Sequence, residues 1–242
     1  HVQGIQINRL RTSDPRCYGE SSGKIAIEAT YADTTLQYSI DSGATYQEMP
    51  AFSGLAAGTY PLFVKNALGY SRQLEAVQLQ NPPKINFSVK SKDGGECPGD
   101  HPGMIQIHAE GGTHSLQYSI DNGNTFADDS MFSIHETGTY AVRVQDASGC
   151  TTDAEQVQLV VPEPFRIETT TRPVTCPGKQ DGALQIQAEG GTSPYTYLLN
   201  DTGIYHEPEI TNLPAGTYAL RLKDFRDCLS GEKITELSQP AP

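Results

Sequence analysis

One stretch occurs three times in this chain, and it limits what the rest can fold into. It reads Gly58-Thr59-Tyr60-Pro61-Leu62-Phe63-Val64, then Gly138-Thr139-Tyr140-Ala141-Val142-Arg143-Val144, then Gly216-Thr217-Tyr218-Ala219-Leu220-Arg221-Leu222. In each copy a glycine turn opens a run in which tyrosine and aliphatic residues alternate with variable ones, the period of two that marks a half-buried strand. A polar turn follows and ends at Tyr70, Cys150 and Cys228. The tyrosines recur at 80 and 78 residues (140 − 60 and 218 − 140), and Cys17, Cys97 and Cys176 at 80 and 79 (97 − 17 and 176 − 97). Self-similarity at a fixed period marks a repeat array. Roughly eighty residues suffices for a small β-sandwich. The expected units are 1–82, 83–162 and 163–242, meeting at Asn81-Pro82-Pro83 and Val161-Pro162-Glu163-Pro164. Proline there removes backbone donors and restricts φ, so the joints should be short and stiff.

Within each unit the alternation continues. First strands carry Ile5 and Ile7, Phe87 and Val89, Phe165 and Ile167; second strands carry Ile25 and Ile27, Ile105 and Ile107, Leu184 and Ile186. Third strands carry Leu36, Tyr38 and Ile40, Leu116, Tyr118 and Ile120, Tyr195, Tyr197 and Leu199. One face is apolar and the other polar. Asp41-Ser42-Gly43 and Asp121-Asn122-Gly123-Asn124 then supply hairpin turns. With 23 Gly and 16 Pro, the composition suits turn-rich β structure. The predicted fold is all-β: three tandem Ig-like or fibronectin-III-like sandwiches of six or seven short strands each.

Charge and motifs narrow the function. The balance of 17 basic against 29 acidic residues gives a net charge of −12. Such a chain repels phosphate backbones and anionic lipid, so nucleic-acid and membrane-surface partners are disfavoured. No apolar run is long enough to span a bilayer. The start at His1, without a signal peptide, and the linker-like Gln239-Pro240-Ala241-Pro242 read as a fragment of a longer polypeptide. There is no nucleophile elbow, P-loop or dinucleotide fingerprint. His108 aligns with Glu28 and Gln187, an outward position, and Asp128-Asp129 sit in a loop with no apolar pocket. The chain is expected to be non-enzymatic and to need no cofactor.

The five cysteines carry a sharper expectation. Cys97 and Cys150 are 53 apart (150 − 97), and Cys176 and Cys228 are 52 apart (228 − 176). The matching spacing predicts two intradomain disulfides, Cys97–Cys150 and Cys176–Cys228, and with them an oxidising compartment. Each bond then needs an even number of sandwich crossings between its cysteines, because a strand length of roughly 20 Å exceeds any disulfide. Cys17 has no mate, since Tyr70 stands at its partner's position. It is either an orphan thiol or the anchor of an intermolecular disulfide. On this pairing the first unit lacks a clamp and should be the least stable.

Two kinds of loop are candidate sites. Asp121 and Asn124 carry oxygens suited to calcium, although Asn-Gly is also what the hairpin turn itself needs. Glu110-Gly111-Gly112-Thr113, matched by Glu189-Gly190-Gly191-Thr192, joins the second and third strands. Its glycines serve a bulged turn or a ligand-facing loop. Most tyrosines alternate inward, and the absence of Trp weakens a glycan platform.

The third unit reads Cys176-Pro177-Gly178-Lys179-Gln180-Asp181-Gly182, Gly190-Gly191-Thr192-Ser193-Pro194-Tyr195-Thr196-Tyr197, Leu213-Pro214-Ala215-Gly216-Thr217-Tyr218 and Asp224 through Cys228. It resembles the SprB-type repeat of large Bacteroidetes surface adhesins, including gliding-motility adhesins. The second unit matches nearly as well; the first departs at Tyr31-Ala32-Asp33 and Tyr70. The resemblance implies an extracellular or outer-surface location and an adhesive or spacer role, with no catalytic residues. The expected function is thus a stalk or adhesive segment of a cell-surface adhesin, continuous with further repeats and engaging a surface, glycan or protein ligand. The alternative is an accessory or glycan-binding region of a secreted polysaccharide-degrading enzyme.

Overall fold

A computed structural model describes residues 4–32 and 35–240; His1, Asp33, Ala241 and Pro242, all used in the sequence reading, lie outside the described residues. Among the described residues the chain forms strands and no helix. The first repeat contains β1 (Gln6–Ser13), β2 (Gly23–Thr30), β3 (Leu36–Ser39), β4 (Ala51–Leu55), β5 (Gly58–Tyr60), β6 (Phe63–Asn66), β7 (Ser71–Gln73) and β8 (Val77–Leu79). The second contains β9 (Asn86–Lys92), β10 (Gly103–Glu110), β11 (Gln117–Ser119), β12 (Met131–Ile134), β13 (Gly138–Gln145) and β14 (Glu155–Leu159). The third contains β15 (Arg166–Arg172), β16 (Gly182–Glu189), β17 (Thr196–Leu199), β18 (Gly203–Tyr205), β19 (Glu209–Leu213), β20 (Gly216–Lys223) and β21 (Lys233–Leu237).

Each repeat builds the same pair of sheets. The orders are β1-β2-β4 with β3-β6-β7 and β5-β8, then β12-β10-β9 with β11-β13-β14, then β15-β16-β19 with β18-β17-β20-β21. The recurring Gly-Thr-Tyr stretch is the central strand of its sheet in β13 and β20. In the first repeat Pro61 splits it into β5 and β6, because proline has no N–H for the ladder. Its partner strand is split in register with it, into β7 and β8.

The chain divides into two compact units: His1–Ser88 with Ile107–Ser130 and Ala141–Glu155, and Val89–Gln106 with Met131–Tyr140 and Gln156–Pro242. In the first, Ile25, Ile27, Tyr38, Leu62, Val64 and Leu79 form one core. In the second, Leu184, Ile186, Leu199, Leu220, Leu222 and Leu237 do so. These are the inward positions of the period-two pattern, while Glu28, His108 and Gln187 are exposed.

Local chemistry explains two recurring corners. In all three repeats the residues after the third strand adopt positive φ in pairs: Ser42 and Gly43, Asn122 and Gly123, Asn200 and Asp201. Paired positive φ is the type I′ geometry that matches the twist of a hairpin. At the other corner Tyr60, Tyr140 and Tyr218 donate from Oη to the carbonyls of Ala56 (2.8 Å), Glu136 (2.8 Å) and Pro214 (2.7 Å). This tyrosine corner is a hallmark of Ig-like sandwiches.

Strand direction in the third repeat decides where its turns lie. β15 and β21 run side by side in the same sense: Thr169 meets Thr235 (Oγ1 to Oγ1, 2.9 Å), and further along both Val174 N–H donates to Ser238 O (3.3 Å). β16 is antiparallel to β15, and β20 is antiparallel to β21. The turn between β15 and β16 therefore sits at one end of the sandwich, and the turn between β20 and β21 at the other.

Candidate functional site: covalently stapled joints

The first of these, the opening turn, is Cys17-Tyr18-Gly19-Glu20 in the first repeat, Cys97-Pro98-Gly99-Asp100 in the second and Cys176-Pro177-Gly178-Lys179 in the third. In each, the fourth residue's N–H donates to the cysteine carbonyl, at 3.1, 3.2 and 3.2 Å. The third residue is glycine at φ +74°, +89° and +80°. A third residue at positive φ, with this bond, marks a type II turn, and its second position is Tyr18 in the first repeat and proline in the other two. Its fixed backbone presents each cysteine in the same way.

The closing turn follows the Gly-Thr-Tyr strand. Asp146 Oδ1 accepts the N–H groups of Ser148 and Cys150 (2.9 Å each). Its Oδ2 accepts Thr113 N–H (2.9 Å) and Thr113 Oγ1–H (3.0 Å). Burial pushes this carboxyl's pKa up, but the donors from Thr113, Cys150 and Ser148 outweigh it, and the net shift is downward. Asp224 repeats the pattern, accepting from Arg226 and Cys228 (2.9 Å each) and from Thr192 N–H (2.8 Å).

These turns meet across the joints. Cys17 bonds to Cys150, with Cα atoms 5.5 Å apart, and Cys97 bonds to Cys228, with Cα atoms 5.4 Å apart. The expected pairs Cys97–Cys150 and Cys176–Cys228 are not formed; Cys17 is not unpaired, and the free thiol is Cys176, which is exposed. The physical reason is the direction of the strands. Between Cys176 and Cys228 the chain makes five passes, β16 to β20, an odd number. That leaves the two cysteines at opposite ends, separated by the eight residues of β16, about 26 Å of strand. A disulfide spans a Cα separation of at most about 7 Å. The expectation that the first repeat is the least stable for want of a clamp falls with the expected pairs, since its Cys17 is also bonded.

The glycine loops seat the linkers. Gly112 N–H donates to Pro83 O (3.0 Å) and Gly191 N–H to Glu163 O (3.1 Å). Gly111 and Gly190 have φ of +87° and +77°, and a Cβ on either would fall on the carbonyl oxygen of Lys84 or Pro164. Thr113 and Thr192 tie the same loops to Asp146 and Asp224, while Glu110 and Glu189 are exposed at the ends of β10 and β16. Outside the loops, Asp14 Oδ1 accepts Gln80 N–H (2.9 Å), and Asp93 Oδ1 accepts Val160 N–H (2.8 Å). Beside the first disulfide an open groove of about 600 Å³ is lined by Cys17, Tyr18, Lys84, Phe87, Asp146 and Cys150, among others.

Asp121 and Asn124 are occupied by their own turn. Asp121 accepts from Ser119 Oγ (2.6 Å), from Thr125 Oγ1 (2.6 Å) and from Thr125 N–H (3.0 Å), while Asn124 Nδ2 donates to Asp121 O (2.7 Å). The Ser119 hydroxyl, then the Thr125 donors, lower the Asp121 pKa to about 2. Among the described residues no three His, Cys, Asp or Glu side chains group as metal ligands do.

Residues 168–203 match the SprB repeat. The matched stretch runs from β15 to the start of β18 and contains the Cys176 turn and the Gly190-Gly191-Thr192 loop. A search of curated proteins finds no match. Among solved structures, domains 3–5 of Drosophila OTK align over 100% of this chain and 99% of that one, at 12% identity and a TM-score of 0.32. The N-terminal eight Ig domains of Down syndrome cell adhesion molecule align over 99% and 37%, at 12% identity and 0.46. Fibronectin(III)-like modules of Clostridium thermocellum CbhA align over 65% and 93%, at 12% identity and 0.31.

Proposed function

We propose that the chain is a non-enzymatic stalk segment of a bacterial surface adhesin, built of three Ig-like domains at 1–82, 83–162 and 163–242. It works outside the cell, where disulfides persist. It carries a binding region away from the surface or engages a surface, glycan or protein ligand weakly and repeatedly, with avidity in place of a strong single site. The observation that supports this reading is the bonding of successive repeats to each other, opening turn to closing turn, at two joints in a row.

Such bonds change how a chain responds to tension. Force entering at the N-terminus crosses from Cys17 to Cys150, runs back to Cys97 and crosses to Cys228. The shortest covalent route uses residues 1–17, 97–150 and 228–242, about a third of the chain at a common extended length per residue. Single-molecule pulling tests this. The oxidised chain should extend to about a third of the length of the reduced one. An oxidised chain that extends as far as the reduced one would remove the stalk mechanism.

A further inference from the structure

We propose that Cys176 is one half of a third joint, forming a disulfide with the closing-turn cysteine of a further SprB-type repeat docked on the third. This rests on the tandem-array reading and names the partner its exposed end takes.

Two internal copies of the same site show what the position does. Cys17 and Cys97 occupy the same place in the same type II turn, and each is bonded to the closing turn of the next repeat. Cys176 has that turn intact, with Lys179 N–H on its carbonyl (3.2 Å) and Gly178 at φ +80°. Asp181 holds the turn's base, accepting Thr175 N–H (3.0 Å) and Thr175 Oγ1–H (2.5 Å). The thiol is exposed and has no bonding partner.

The receiving end shows the complementary pattern. The second and third repeats each have a glycine pair, a threonine, an aspartate and a cysteine there: Gly111-Gly112-Thr113 with Asp146 and Cys150, and Gly190-Gly191-Thr192 with Asp224 and Cys228. The same end of the first repeat has Tyr31-Ala32, Asn66 and Tyr70 at the corresponding positions. Asn66 Oδ1 still caps the turn through Leu68 and Tyr70 N–H, at 3.0 and 2.9 Å, but its Nδ2 is buried without a hydrogen-bond partner. The features of a receiving end are present together or absent together, as expected if their common use is to accept a cysteine like Cys176.

The step is an oxidation. Two thiols lose two protons and two electrons to form one S–S bond, and a low-molecular-weight disulfide such as oxidised glutathione takes them up as two thiols.

The test extends the chain by a second copy of residues 163–242 placed directly after Pro242. With 242 − 176 = 66 and 228 − 162 = 66, the copied Cys228 falls 132 residues after Cys176, between the separations of 131 and 133 in the two bonds observed. The extended chain is refolded in glutathione buffer, then read by thiol counting and non-reducing peptide mapping. The expected result is a Cys176–copied Cys228 bond and one free thiol, that of the copied Cys176. Cys176→Ser in the extended chain should leave two free thiols. A folded extension that leaves Cys176 free overturns the proposal while the array reading stands. A bond between the copied Cys176 and the copied Cys228 overturns the proposal and the joint geometry together.

Discussion

Cys17 and Cys150 lie 133 residues apart in the chain and 5.5 Å apart between Cα atoms. Cys97 and Cys228 repeat the relationship, and because 97 falls inside the first loop and 228 outside it, the two covalent loops are interlaced. Each loop is long, and the chain-entropy model gives closures of this length about 5 kcal/mol. The linkage joins neighbours, so separating two repeats at a joint requires breaking a bond or unfolding a repeat.

Cleavage at the first joint tests this pairing. Trypsin cutting after Lys84 separates Cys17 from Cys150 along the backbone but not through sulfur. The fragments 1–84 and 85–242 should migrate together without reductant and separate with it, read on a denaturing gel. Release of the first fragment without reductant would contradict the Cys17–Cys150 bond.

Substitution of the loop glycines separates a packed position from an open one. At Gly190 a Cβ meets the Pro164 carbonyl and φ is +77°; at Gly178 φ is +80° but nothing lies within 4 Å. Gly190→Ala should cost about 2–3 kcal/mol and Gly178→Ala about 1 kcal/mol, by thermal unfolding. Equal losses would mean that the linker does not press on the Gly190 loop.

The fold was legible because its signals are local. Alternation around Ile25, Ile27, Leu220 and Leu222 marks the core face, and Asn122-Gly123 marks a type I′ turn within four residues. The joint was less legible. Whether Cys176 can reach Cys228 depends on the parity of strand passes, and that parity turns on β18, the three-residue segment Gly203-Ile204-Tyr205. In the first two repeats its place is held only by the bridges Tyr38 to Gln47 and Tyr118 to Ala127. Equal spacing within repeats suggested pairing within repeats, yet it equally satisfies a pairing displaced by one repeat. Tyr70 was the available clue: it removes one closing cysteine and leaves Cys17 to find its mate further along. The Gly-Gly-Thr loops looked like surface because their partner is a linker, which has no periodicity to read.

Asp121 provides a pH-dependent test of the hairpin. Its pKa falls from an ordinary 3.8 to about 2, chiefly through the Ser119 hydroxyl and then Thr125. A lowered pKa means that the ionised form is favoured in the folded state. The stabilisation is therefore present above the unfolded value and is lost as pH falls through about 2. Asp121→Asn should destabilise the protein at neutral pH, and its difference from the parent should shrink between pH 4 and pH 2. A carboxyl resonance titrating near 4 would show that the hydrogen bonds do not persist in solution.

The tyrosine corner gives a test at alkaline pH. Tyr218 is 8% exposed, and its Oη donates to Pro214 O at 2.7 Å. Tyr218→Phe removes this hydrogen bond, at a cost of about 1 kcal/mol. Desolvation, then the charge of Tyr205, raises the Tyr218 pKa above its ordinary 10.0. A raised pKa favours the protonated form in the folded state, so the corner's contribution is complete below 10.0 and is lost as pH rises through the folded value. Chemical denaturation should therefore show Tyr218→Phe less stable than the parent at neutral pH, with the gap closing at strongly alkaline pH. A gap that stays constant with pH would mean that the loss comes from packing and not from the hydroxyl.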